Sequence, residues 1–125
     1  MGKKKGGLPY DNRGGVVAIQ RRLLTSPAYL ALRAPEKALL HLMQVHWRHD
    51  KPIAFGVREA MRLIPCSDKV AMRSFKTLQD AGFIEMVDES IFCSRTQSKT
   101  RTWRLTWRPW NFKEPTNDWE KSDAD

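Results

Sequence analysis

The stretch "PCSDKVAMRSFKTLQDAGFIEM", residues 65 to 86, decides the fold. Pro65 ends the helix before it, because Ile64 next to a proline is biased away from helical geometry. Ser67 then makes a good N-cap. At 100° per residue Val70, Ala71, Ser74, Phe75, Leu78 and Ala81 gather in a sector of roughly 140°, with Lys69, Met72, Arg73, Lys76 and Gln79 opposite. Gly82 supplies a left-handed stop, and "FIEMV" has the composition of a strand. A helix is therefore expected over 67–81, apolar on one side and cationic on the other.

Upstream, "VREAMRLI" forms a compact helix with Val57, Ala60, Met61 and Ile64 on one side, so the local pattern is helix, tight turn, helix. "KPIAF" before Gly56 offers a short extended piece. "APEKALLHLMQVHWRHD" has Pro35 and Glu36 near its start and Arg48 in its last turn, as the helix dipole prefers. Lys37, His41, Gln44 and Arg48 make a narrow polar stripe on it, and Ala38, Leu39, Leu40, Leu42, Met43, Val45 and Trp47 wrap the rest, which predicts a largely buried helix. In "TSPAYLAL" Ser26 caps a short helix with Pro27 at its first position. "VVAI" at 16–19 has the β-branched composition of a strand.

Downstream, "RTWRLTW" alternates Trp103, Leu105 and Trp107 with Thr102, Arg104 and Thr106, the period of a strand. That spacing makes Trp103 and Trp107 core or interface residues rather than base-stacking ones. Residues 88–100 read as a long polar hairpin connection, basic at its far end. Residues 1–15 lack the apolar surface that ordering requires and read as a mobile basic arm. The arm is either a solvated leader or a segment that reaches DNA phosphates or the minor groove. Residues 108–125 form an acidic, Trp-containing tail whose Trp110 and Trp119 suggest either packing back on the domain or docking on a partner.

The chain of 125 residues has 22 Lys and Arg against 14 Asp and Glu, a net charge of +8. The excess favours a polyanionic partner, nucleic acid first, with acidic lipid or acidic protein as the others. It is concentrated: residues 1–22 carry a net +5, and residues 94–108 hold five cations and no acid. Cys66 and Cys93 have no CxxC spacing, His41 and His46 lie about 140° apart on the helical wheel, and no Asp, Glu or Cys completes a set with the three histidines at a known ligand spacing, so no metal site is indicated. No nucleotide-binding or hydrolytic motif is present, and nothing proposes an enzyme or a cofactor. No apolar run reaches membrane length, which leads to the expectation of a soluble cytoplasmic protein.

The order helix, short strand, helix, turn, helix, strand, basic loop, strand resembles a winged helix-turn-helix domain over about Leu23 to Trp107. Leu78 followed by Ala81-Gly82-Phe83-Ile84 resembles the junction where that family's recognition helix turns into its first wing strand. "LLTSPAYLAL", "PCSDKVAMRSFKTLQDAGFI" and "PTNDW" are also similar to small bacterial winged-helix proteins of phage and plasmid type, some of them near replication-initiation proteins. The resemblance implies an α+β fold, a three-helix core with a β-hairpin wing, occupying residues 16–107. It also implies double-stranded DNA as partner, in transcription regulation or as a replication accessory factor. Ser67, Lys69, Met72, Arg73 and Lys76 would then face the groove, with Arg95, Lys99 and Arg101 on a wing over 88–101. Gly56 stands where that family usually has a Ser or Thr cap. The apolar first main helix and the Trp-rich strand suit a homodimer. The competing expectation is a protein-interaction module that docks an acidic partner, with "PTNDW" in the contact.

Overall fold

Residues 13–123 are described by the computed structural model, and the arm expected over residues 1–15 lies, up to residue 12, outside them. The described chain is α+β: short helices α1 (Arg21–Leu24) and α2 (Pro27–Leu30), then α3 (Ala34–Val45), β1 (Ile53–Ala54), α4 (Val57–Leu63), α5 (Asp68–Asp80), β2 (Ile84–Cys93), β3 (Ser98–Leu105) and α6 (Trp119–Asp123). The sheet is antiparallel in the order β1-β3-β2, so β3 is central and β2 is an edge.

Local chemistry explains the helix starts. The Ser26 side chain accepts from Tyr29 N with Pro27 at the first position, the Ser67 side chain accepts from Val70 N, and Glu36 accepts from the amide of Arg33. These bonds satisfy amides that a helix start leaves without partners. The apolar face of α5 is buried as its spacing demands, with Ala71, Ser74, Phe75 and Leu78 inside. Phe75 stacks on Trp103 at 5.2 Å, and Trp103 Nε1 donates to Phe55 O, so α5 is fastened to the central strand and to the strand-like segment before α4.

Four expectations need correction. The "VVAI" segment forms no strand: Gln44 Nε2 donates to Ala18 O and Ile19 packs against the core, so a side chain of α3 and not a sheet ladder holds it. Helix α3 stops at Val45, three residues before Arg48, where the chain turns so that Trp47 Nε1 can donate to Pro109 O. Its faces differ from the wheel: Gln44 is buried, bridging Ala18 O and Trp107 Nε1, whereas Val45 is exposed. A primary amide reaches two partners at once, which a hydropathy wheel cannot register. Finally, residues 88–100, expected as a hairpin connection, are mostly strand. β2 and β3 pair out to Cys93 and Ser98 around a four-residue turn with Gln97 at φ 57°. The outer hairpin has little core beneath it, so it shows no apolar alternation and is held by the ladder.

The C-terminal segment packs back on the domain. Trp119 is 2% exposed and stacks parallel on Phe83, centroids 6.1 Å apart, while Trp107 meets Phe83 edge-on. Asn117 N donates to Thr106 O, and the Thr106 hydroxyl donates to Gly82 O. Gly82 has φ 87°, and a Cβ there would lie 2.6 Å from Asp118 O, so glycine is required for both conformation and space. Arg22 covers the outer face of Trp119 and pairs with Glu120, joining α1 to α6. Trp103, Trp107, Leu39, Leu40 and Met43, on which the homodimer expectation rested, belong to this chain's own core.

Trp119→Ala should lower unfolding stability by about 3–5 kcal/mol, the usual range for removing a buried large aromatic, read as a lower urea midpoint. Gly82→Ala should cost more than the ~1 kcal/mol scale of ordinary glycine effects, because the methyl has nowhere to go; the same titration checks it.

Candidate nucleic-acid interface

Helix α5 presents its cationic face as its sequence spacing requires: Lys69, Met72, Arg73 and Lys76 are all exposed, Met72 at 53%. Among the described residues no acid lies within ion-pair distance of Lys69 or Arg73. Lys76 Nζ lies 3.0 Å from both carboxylate oxygens of Asp80, an exposed i,i+4 pair. Such a pair contributes at most about 1 kcal/mol, so it is readily exchanged for a phosphate. Ser67 sits at the start of the same helix with its oxygen accepting from Val70 N.

The cations of the β2–β3 hairpin divide. Lys99 and Arg101 are exposed and pair with no acid among the described residues. Arg95 is engaged: its guanidinium donates to Ala54 O at 2.5 Å and to Glu59 Oε1 at 3.0 Å, and approaches Cys93 Sγ at 3.8 Å. Glu59 is buried on α4, and His46 Nε2 lies 4.0 Å from its other oxygen. Arg95 thus straps the hairpin turn to α4, and a buried carboxylate needs such a partner. Burial of Cys93 would raise its thiol, but the Thr96 and Arg95 amides and the Arg95 charge outweigh that and lower it.

Between α4 and the hairpin turn lies an open groove of about 710 Å³. Its walls carry Arg58 and Arg62 from α4 beside Arg95 and Lys99 from the hairpin. The site residues expected from sequence therefore fall in two sets: Ser67, Lys69, Met72, Arg73 and Lys76 along α5, and Arg95 and Lys99 at the groove, with Arg101 further along β3. Arg58 and Arg62 were missed. Their signal was present, since an i,i+4 pair of arginines stands opposite the apolar side of "VREAMRLI".

The three histidines are used separately. His41 bonds to the Tyr29 hydroxyl, His46 faces Phe55 and Glu59, and His49 meets the ring of Phe112 edge-on. Among the described residues no group of three or more His, Cys, Asp or Glu side chains could hold a metal ion, and no helix is long and apolar enough to cross a membrane. No family model matches this chain, and no curated protein and no solved structure matches it either.

Burial first, and then the Arg95 charge, hold His46 below the ordinary imidazole range against the opposing pull of Glu59. The unfolded chain therefore binds this proton at higher pH than the folded one. Stability from His46 is fully present above the unfolded value near 6.5 and is lost as pH falls toward the lower folded value. The thermal midpoint of the wild type should accordingly fall more than that of His46→Gln between about pH 7.5 and 5, as followed by circular dichroism.

Proposed function

We propose that this chain is a winged helix-turn-helix protein that binds double-stranded DNA, with α5 as the recognition helix and the β2–β3 hairpin as the wing. It acts as a transcriptional regulator or a replication accessory factor of phage or plasmid type. One observation carries the proposal. A helix whose inner face is stacked on the central strand holds Lys69, Arg73 and Lys76 outward, two of them without an acid partner among the described residues. The fastening matters because a rigid helix enters a groove without losing conformational freedom.

The division of labour follows from charge and shape. Lys69 and Lys76 neutralise phosphates and set orientation. Arg73 can contact guanine O6 and N7 with two parallel bonds, a pairing worth about 1–3 kcal/mol of discrimination. Met72 between them offers apolar contact for a thymine methyl. Lys99 and Arg101 supply further phosphate contacts from the hairpin. Arg95 keeps the hairpin in place and reaches DNA only if it leaves Glu59.

A second reading, docking of a protein partner, has one observation of its own. Phe112 is 80% exposed at the tip of a two-residue turn closed by Trp110 and Lys113, with Asn111 and Phe112 both at positive φ. A phenylalanine in that conformation is strained, and strain of this kind marks contact sites.

Fluorescence anisotropy on random-sequence duplex across a salt series tests the proposal. If about five phosphates are neutralised, the log–log slope is near −4 to −5, and Lys69→Ala/Arg73→Ala/Lys76→Ala reduces both slope and affinity. Flat or absent binding at low salt rejects duplex binding and leaves the protein-docking reading.

A further inference from the structure

The groove between α4 and the hairpin turn has a composition of its own. Arg58, Arg62 and Lys99 line it and pair with no acid among the described residues, and the turn adds hydroxyl and amide groups. Its one carboxylate, Glu59, is buried and turned to Arg95. The lining therefore offers positive charge with no competing free carboxylate, beside neutral hydroxyl and amide groups that both donate and accept. Its volume of about 710 Å³ lies in the range of true ligand sites. Like charges facing one another across a concavity repel, so an anion in it would be strongly favoured.

A second feature adjoins it. Phe92 is 60% exposed, and the strand register sets it directly opposite Lys99. Residues paired across an antiparallel ladder point to the same face, with Cβ atoms about 4.5–5.5 Å apart. The ring of Phe92 therefore stands beside the groove's own lysine. Arg101, two positions beyond Lys99 on β3, shares that face. Both β2 register shifts, between Met86 and Asp88 and between Asp88 and Ile91, come before this pair.

We propose that the α4–hairpin groove and Phe92 together form a binding site for single-stranded nucleic acid. Arg58, Arg62 and Lys99 hold the phosphodiester backbone, and an unstacked base lies on the Phe92 ring. A groove that tracks backbone beside an exposed aromatic is the arrangement that binds single strands without sequence preference. The aromatic decides between single strand and duplex: bases in a duplex are stacked on one another and present no free face, whereas a single strand does. The site is independent of the α5 reading, since it uses none of that helix's side chains.

Anisotropy with the full chain and two labelled probes tests this: an oligo-thymidine of about twelve nucleotides, within the range one such site covers, and a duplex. Phe92→Ala should weaken oligo-thymidine binding by roughly 5- to 150-fold, the span for removing one base-stacking aromatic, and Phe92→Trp should restore it. Arg58→Ala/Arg62→Ala should lower its affinity and flatten its salt dependence. The α5 triple variant should leave this probe unaffected while weakening the duplex. The proposal is overturned if oligo-thymidine does not bind, if the Phe92 and arginine variants bind it as the wild type does, or if the α5 variant weakens both probes equally. A duplex that fails to bind while oligo-thymidine responds as expected removes the α5 reading and supports the groove. Phe92 is exposed, so circular dichroism should show its variants folded.

Discussion

The contact between Gly82–Phe83 and the C-terminal segment is the constraint on which the arrangement depends. At this point α5 ends, β2 begins, and Trp119 arrives from the far end of the chain. Gly82 can turn the backbone because it tolerates positive φ, and its missing side chain admits Asp118. Phe83 is then enclosed by Trp119 on one face and Trp107 at its edge. Aromatic stacks of this kind combine large buried area with restricted geometry. They fix where α5 stops and how the hairpin leaves it, which sets the angle between the two basic elements.

Positive charge in this protein is sorted by what lies beneath each side chain. Arg95 pairs with a buried carboxylate and a backbone oxygen, and Arg22 and Arg108 lie over the Trp119 and Trp47 rings. These guanidiniums serve the fold, as planar groups that bond and stack at once can do. Lys69, Arg73, Arg58, Arg62, Lys99 and Arg101 are exposed and form no ion pair with an acid among the described residues. Charge excess alone does not separate the two classes, since residues 94–108 contain members of both.

Much of the α5 region was legible in the sequence. The Ser67 cap, the Phe75 and Leu78 face, the opposing cations and the Gly82 stop all follow from interactions within a few positions, and helical periodicity reports these directly. The alternation of Trp103, Leu105 and Trp107 likewise gave their burial. The outer hairpin was not legible, because its strands bury little besides Cys93, keep no hydrophobic period and are held by the backbone ladder between them. Gln44 was misjudged for a related reason: its two partners, Ala18 and Trp107, lie 26 and 63 positions away. Phe92 gave no signal until the register placed it beside Lys99.

The sequence by itself determined the helix–turn–helix segment, the apolar and cationic faces of α5, the burial of the Trp103 strand and the excess of positive charge. Each rests on short-range spacing and on side-chain chemistry that any surrounding fold would respect. Tertiary structure alone decided that Arg95 is engaged by Glu59, that Trp119 closes the core over Phe83, and that Arg58, Arg62 and Lys99 share one groove. Those outcomes depend on which distant segments meet, and a burial partner many residues away leaves no periodic trace in the residues that receive it.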